Sequence, residues 1–426
     1  MAGLAICRSA MVQRGAVLRV MGRTRSAIVV GGGIVGVTSA YALARDGWHV
    51  RLLDSASQVA NGASRGNGRQ LSYSHTNALA SPRLLSQIPR LLLGCDQAFR
   101  ISLRADRGFA RWVAQFLGNC TTQANRRNTL ATLQLAKQSR EAMHELLEKH
   151  PIEFARKQVG KFVLLRSQAD LLAAKGSLIE KRKAGLRQEL LSPSEAFAIE
   201  PALEQAADDL CGALYAPDDE TGDCHAFAAA LLSVCEQQYG VRFSGNTCAA
   251  SIGREADTPV VTLKTGEELA ADLIVVANGY HLNRLTAPLG HWLPVEPMKG
   301  YSFTAPLGNS APLASLTDHA RRIVFTHLGD RMLVAGIAEM GRVNSQVEPD
   351  RLRSMIAAAR LSLPQAAVYN QADEGWAGMR PMTPNSQPII RMLEPGIAVN
   401  GGQGMLGWTL AMGSAERLVS VVRQAG

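Results

Sequence analysis

The stretch that most constrains this chain is Ala27-Ile28-Val29-Val30, running into Gly31-Gly32-Gly33-Ile34-Val35-Gly36. Consecutive β-branched residues predict a strand, the glycines a tight turn, and the apolar periodicity from Val35 to about Arg45 a helix. Gly31, Gly33 and Gly36 satisfy G-x-G-x-x-G. Asp54 closes the next apolar run, Trp48 to Leu53, about 20 residues on, as a dinucleotide fingerprint requires. The first glycine turns the chain, the second lets backbone approach a pyrophosphate, and the third lets helix lie against strand. The anion then meets the unpaired N–H groups of the first helical turn, which holds Ile34 and Val35. A carboxylate at Asp54 accepts from a ribose hydroxyl and repels a 2′-phosphate. The pattern implies a parallel α/β nucleotide-binding domain and leaves NAD and FAD both open.

Of 426 residues, 46% are hydrophobic, enough for a large core and for two domains or two interwoven lobes. Seven cysteines are scattered, with no C-x-x-C pair. That spacing fits neither a disulfide framework nor a zinc site, so no metal is expected and a reducing, cytoplasmic compartment is the default. No apolar run approaches the ~20 residues of a membrane-spanning helix. The net charge of +9 is concentrated in two places. Residues 1–25 carry five arginines and no acid, and Ser81 to Arg140 carries ten Lys/Arg against Asp96 and Asp106. The first 25 residues are either an Arg-rich leader or the result of an upstream start, with Met21 as the start expected before the first strand.

After Asp54 comes a loop of small, hydrogen-bonding residues, Gly62 to Ser72. Residues 83–150 are predicted helical, with Phe109, Trp112, Val113, Phe116 and Leu117 at helical spacing and Arg104, Arg107 and Arg111 interleaved. Strands are predicted at 158–167, 212–216, 241–243, 260–263, 273–276, 298–304, 323–326 and 332–336, with a hairpin turn at Gly329-Asp330. Asp223 is predicted to cap a helix from Ala226 to Gln238 that stops at Gly240, and another helix is expected from Pro349 to Leu361. The chain closes on a strand near Ile397 to Asn400, a second glycine turn Gly401-Gly402-Gln403-Gly404, and a helix to Arg423. This echo of the N-terminal unit aims a second helix N-terminus at the cofactor. Such a terminus stabilises negative charge at N1 and C2=O of a reduced flavin, a use an NAD dehydrogenase lacks.

Four blocks carry a more specific signal: Asp219-Glu220-Thr221-Gly222-Asp223-Cys224, Lys299-Gly300-Tyr301-Ser302, Gly378-Met379-Arg380-Pro381-Met382-Thr383-Pro384, and Gly404-Met405-Leu406-Gly407-Trp408-Thr409. With them the sequence, from about Ser26 to Val422, resembles the FAD-dependent D-amino-acid dehydrogenases. These belong with the D-amino-acid, glycine and sarcosine oxidases among glutathione-reductase-like oxidoreductases. The resemblance implies an FAD-binding Rossmann domain (26–76, 212–290 and 385–426) interwoven with a substrate domain on a mixed β-sheet (77–211 and 291–384). It further implies non-covalent FAD, oxidation of an amino acid's Cα–N bond, hydrolysis to a 2-oxo acid and ammonia, and electrons passed to a quinone or other non-oxygen acceptor. An oxidase producing hydrogen peroxide and a non-catalytic flavin electron-transfer subunit are the alternatives.

Carried onto this sequence, the resemblance gives Gly31, Gly33, Ile34, Val35 and Gly36 to the pyrophosphate and Asp54 to the adenosine ribose. Ser64, Asn67, Gln70 and Ser72 flank the flavin, Ala249 meets adenine through its backbone, and Gly279 joins the cofactor set. Gly402, Gly404, Met405, Leu406, Gly407 and Thr409 line the pyrimidine side. Arg380 is expected to grip the α-carboxylate with paired charge-assisted hydrogen bonds. Tyr301 is expected to share the carboxylate or cap the site, and His75 to be available as an acid or base. Two departures stand out: Gln403 replaces the usual His, and Arg69 the usual Gly. Gly378 stands where sarcosine-oxidase relatives carry the flavin-linking Cys. The basic segment 81–140, with its arginines beside Phe109, Trp112 and Phe116, is a candidate for peripheral contact with the anionic inner face of the cell membrane. No nucleic-acid-binding motif is present.

Overall fold

A computed structural model describes residues 25–93, 96, 98–183 and 185–425. Of the leader proposed for residues 1–25, all but Arg25 lie outside the described residues.

The N-terminal fingerprint folds as its pattern predicts. Strand Ser26–Val30 sits inside a six-stranded sheet in the order 389–394, 397–401, 273–276, 26–30, 49–53, 242–244. It pairs in parallel with His49–Leu53 on one side and Leu273–Val276 on the other. Ala27 to Val30 are all buried, and each such valine or isoleucine contributes about 1.5–3 kcal/mol. The strand is flanked by helices on one face. Ile34–Arg45 packs between Cys224–Tyr239 and Gly407–Ala425, and Thr122–Lys149 packs on the last of these. The predicted caps are present: Asp223 accepts from the N–H groups of His225 and Ala226, and Gly240 closes the helix at φ +68°.

A second sheet of nine strands is mixed. Its order is 376–382, 296–306, 331–340, 323–328, 315–318, 161–165, 212–216, 189–191, with Phe99–Ile101 pairing onto 331–340. The Gly329-Asp330 hairpin joins two of its strands as expected. Two segments fall elsewhere than their sequence assignment. Gly212–Ala216, placed with the nucleotide-binding domain, pairs between Lys161–Leu165 and Glu189–Leu191 in the second sheet. Helix Thr122–Lys149, placed with the substrate domain, buries Leu135, Ala136, Met143 and Leu146 in the core around the first sheet. The predicted helical stretch 83–150 is three helices, Pro82–Leu92, Arg107–Gly118 and Thr122–Lys149, interrupted by strand Phe99–Ile101.

Candidate active site

In a doubly wound sheet, ligands bind beyond the carboxyl ends of the strands, at the point where neighbouring connections diverge. Here strand 26–30 has its sequence neighbour 49–53 on one side and the distant 273–276 on the other. Gly31, Asp54 and Ala277 follow directly on three of the five parallel strands, Gly401 ends a fourth, and all border a cavity of ≈ 1410 Å³. The opposite wall is the second sheet, through Gly300, Val324, Ala335, Gly378 and Arg380.

The fingerprint residues divide their tasks as chemistry demands. Gly31 adopts φ +114°, and a Cβ there would lie 2.6 Å from the Ala277 carbonyl oxygen. A Cβ on Gly36 would strike the Gly31 carbonyl, so Gly36 permits helix-to-strand packing and stays outside the cavity wall. Gly33 has only Ser64 Oγ nearby, at 3.7 Å, which leaves an open cradle at the helix N-terminus. Ser64 Oγ accepts from the Ile34 N–H at 3.1 Å and so fixes the loop against that terminus. The Asp54 carboxylate accepts from the Gly32 N–H and, at 2.7 Å, from the Ala56 N–H, which sets its orientation on the cavity wall. The cradle, oriented acid and volume fit a flavin dinucleotide.

Of the other expected cofactor residues, Val35, Asn67, Gln70, Ser72, Ala249, Gly279, Gly404, Met405, Leu406, Gly407 and Thr409 border the same cavity. Gly402 does not. It turns the chain at φ +79°, with no room for a Cβ beside Thr383. The loop is anchored from behind by the block 219–223. Asp219 accepts from Ser74 N–H and Oγ, Thr221 pairs with Gln70, the Gly222 N–H donates to the Arg69 carbonyl, and Asp223 pairs with Arg69. Glu220, buried, holds Arg156 and His144.

The two departures have local explanations. Arg69 sits at φ +54°, a conformation that favours glycine, and its guanidinium is drawn off to Asp223. Gln403 is buried and donates to Asn400 Oδ1 at 2.8 Å, and Asn400 in turn donates to Ser39.

Arg380 lies deep in the molecule, yet its guanidinium reaches the cavity and has no ion pair or hydrogen bond among the described residues. Desolvation by burial, with no anion to offset it, lowers its pKa to about 10. Gly300 creates the space. The two are two residues out of register on paired strands and so share a face: Gly300 pairs with Gly378 and Met298 with Arg380, and a Cβ on Gly300 would overlap the guanidinium.

Tyr301 corrects the sequence expectation. Strand alternation puts its side chain on the face opposite Gly300, with Phe303 and Ala305 in the core behind the sheet, where its hydroxyl donates to Glu339 Oε2 at 3.1 Å, and it does not border the cavity. His75 does border it, with Nε2 2.8 Å from Nε2 of His319. Burial and the nearby Lys161 charge hold His75 well below the usual imidazole range. His319, pushed down to about 4 chiefly by burial, follows strand Ser315–Asp318. That strand is four positions from the Arg380 strand in the sheet, roughly 19 Å along it. The structure does not bring His75 together with Arg380. His319 and Lys161, on the same wall, were missed in the sequence. The only visible signal was a lysine at the head of the apolar strand Lys161–Leu165.

A family model described as FAD dependent oxidoreductase (DAO) matches residues 26–421. The chain belongs to that family. The DAO match spans both sheets, and the family's cofactor is FAD. Among DAO relatives, a D-amino acid dehydrogenase of Vibrio vulnificus is 32% identical over 399 residues, 93% of this chain and 95% of the relative. D-amino acid dehydrogenase 2 of Ralstonia nicotianae is 35% identical over 405 residues, 92% of this chain and 95% of the relative. Glycine oxidase from Geobacillus kaustophilus superposes with a TM-score of 0.72 at 20% identity, covering 95% of this chain and 96% of that one. L-proline dehydrogenase from P. horikoshii gives 0.71 at 21%, covering 94% of each. The glutathione-reductase-like α/β fold with a mixed second sheet is thus that of the DAO enzymes, and the chain is an FAD-dependent oxidoreductase of amino-acid-oxidising kin.

Proposed function

We propose that this enzyme oxidises D-amino acids to imines, which water hydrolyses to 2-oxo acids and ammonia, and that it delivers the electrons to a quinone or another non-oxygen acceptor. The observation that carries the reading is the Arg380 guanidinium, which faces the cavity with no partner among the described residues. A buried cation without an anion is costly unless a ligand supplies the anion, and a planar fork matches an α-carboxylate. The names of the relatives at 32–35% identity support the D-configuration.

FAD, when bound, supplies the two-electron acceptor for the substrate hydride. Gly31, Gly33 and the first turn of helix Ile34–Arg45 would hold its pyrophosphate, Asp54 its ribose, and the loop 64–72 with Gly404–Thr409 its ring. Arg380 fixes the carboxylate and so decides which face of Cα is presented. Orientation of that kind accelerates a hydride transfer without a dedicated base, provided the amine is neutral. His75 is given no proton from a substrate held by Arg380, because a single amino acid does not span the separation. Gly378 offers no nucleophile to the ring, which supports FAD that acid precipitation releases.

The acceptor side rests on the surface. Leu85, Leu92, Leu93, Leu103 and Leu117 are exposed on or beside helices Pro82–Leu92 and Arg107–Gly118, near exposed Arg100, Arg107 and Arg111. This apolar and basic surface supports peripheral contact with an anionic membrane, where quinones reside. Phe109, Trp112 and Phe116 play no part in it, since all three are buried against Met298, Met340 and Met382.

The test is aerobic turnover with D- and L-amino acids, following a soluble quinone analogue and hydrogen peroxide together. Reduction of the quinone by D-amino acids with little peroxide is expected. Peroxide in proportion to the 2-oxo acid makes the enzyme an oxidase, and no turnover with any amino acid overturns the reading.

A further inference from the structure

We infer that the Lys161 ammonium raises the reduction potential of the bound flavin, acting with the N-terminus of the last helix on the negative charge that reduction places on the ring. The inference rests on FAD binding and not on the choice of substrate.

Lys161 is 4% exposed, and what exposure it has is to the cavity. Its Nζ donates to Gln70 Oε1 at 2.9 Å and to Ser72 Oγ at 2.7 Å, so two of its three N–H bonds are used and the third has no partner among the described residues. The Ser72 N–H in turn donates to Thr409 Oγ1 at 3.1 Å, in the first turn of helix Gly407–Ala425. One hydroxyl residue therefore ties a buried cation to the helix terminus that borders the cavity.

The surroundings compensate that cation only in part. No carboxylate lies within ion-pair distance of Lys161 among the described residues. The charged groups that act on it are Asp219, which is hydrogen-bonded to Ser74, and a second buried lysine, Lys181, whose Nζ has no partner among the described residues. His75 and His319, held neutral by burial, add no anion. Burial lowers Lys161 to about 8, partly offset by Asp219. A methionine of similar reach would fill the space without that desolvation cost, so the charge serves a ligand that carries or develops negative charge.

A second carboxylate on the substrate is the wrong occupant. The strands bearing Lys161 and Arg380 are five positions apart in the sheet, roughly 24 Å along it. The cofactor's pyrophosphate is the other anion available, and it belongs at the far glycine cradle. What remains beside Ser72 and Thr409 is the ring, whose charge changes with its redox state.

The experiment compares reduction potentials of FAD-loaded wild type, Lys161→Met and Lys161→Arg, set by photoreduction against indicator dyes with no amino acid present. Lys161→Met is expected to move the equilibrium at least tenfold toward oxidised flavin, about 30 mV for a two-electron couple, and Lys161→Arg less than threefold. The wild-type potential is expected to fall more steeply with pH once Lys161 can lose its proton in the oxidised enzyme. One extra proton taken up with two electrons adds about 30 mV per pH unit. An unchanged potential in Lys161→Met overturns the inference. So does weakened FAD binding at unchanged potential, which would assign the lysine to the pyrophosphate. Should Lys161→Met fail to hold FAD, a wild-type titration without the added slope overturns it. Because no substrate enters, failure here is distinct from failure of the proposed D-amino-acid chemistry.

Discussion

At the residue scale the central object is Arg380, a guanidinium with no partner among the described residues. Charge-assisted hydrogen bonds contribute about 1.5–3 kcal/mol each, so losing a bidentate grip lowers kcat/KM by roughly 10²–10⁴. Arg380→Ala is expected to raise KM and lower kcat together, because the carboxylate anchors both binding and the approach of Cα. Arg380→Lys keeps the charge but not the fork and should recover only part of the loss. Steady-state kinetics with a dye acceptor measure both, and an unchanged kcat/KM removes Arg380 from the site. The position was legible in the sequence because the Arg-Pro context carried the resemblance. Tyr301, two residues from Lys299, was equally prominent there. Its strand alternates regularly, with Met298 and Gly300 toward the cavity and Tyr301 with Phe303 away from it, and a period-two pattern does not say which face meets the cavity.

At the scale of elements, glycine spacing says where backbones and side chains cross. The N-terminal strand, turn and helix were legible because each glycine there answers a local steric demand. The strand Glu296–Pro306 shows the less legible case. Gly300 is fully extended backbone, and its lack of a side chain matters only because Arg380 from the paired strand lies across it. Gly300→Ala is expected to leave the melting temperature within a few degrees, since the displaced atoms are the mobile end of a long side chain. The same substitution should raise KM about tenfold or more by moving the guanidinium. A collapse in melting temperature with unchanged KM would contradict that division. Strands such as Ser315–Asp318 and Glu189–Leu191 escaped the sequence reading because they lack the β-branched run that marked the equally short Leu273–Val276.

At the scale of the molecule, the nucleotide fingerprint and its C-terminal echo converge on one cavity because both end parallel strands of one sheet. That convergence was expected from the two glycine turns. The boundary between the sheets was not, since Gly212–Ala216 carries the same apolar alternation in either one. The exposed leucines give a prediction at this scale. Leu93→Asp with Leu103→Asp should lower co-sedimentation with vesicles rich in anionic lipid several-fold, leaving turnover with a water-soluble dye unchanged. Equal sedimentation of variant and wild type would remove this surface from the membrane proposal.

The most direct test of the central claim is the absorbance of the protein-bound flavin after anaerobic mixing with single amino acids. Bleaching by D-amino acids at rates that saturate with concentration, none by their L-enantiomers, and bleaching slowed at least a hundredfold in FAD-loaded Arg380→Ala are the expected results. A flavin that stays oxidised with every D-amino acid, or bleaches as fast without Arg380, would contradict it.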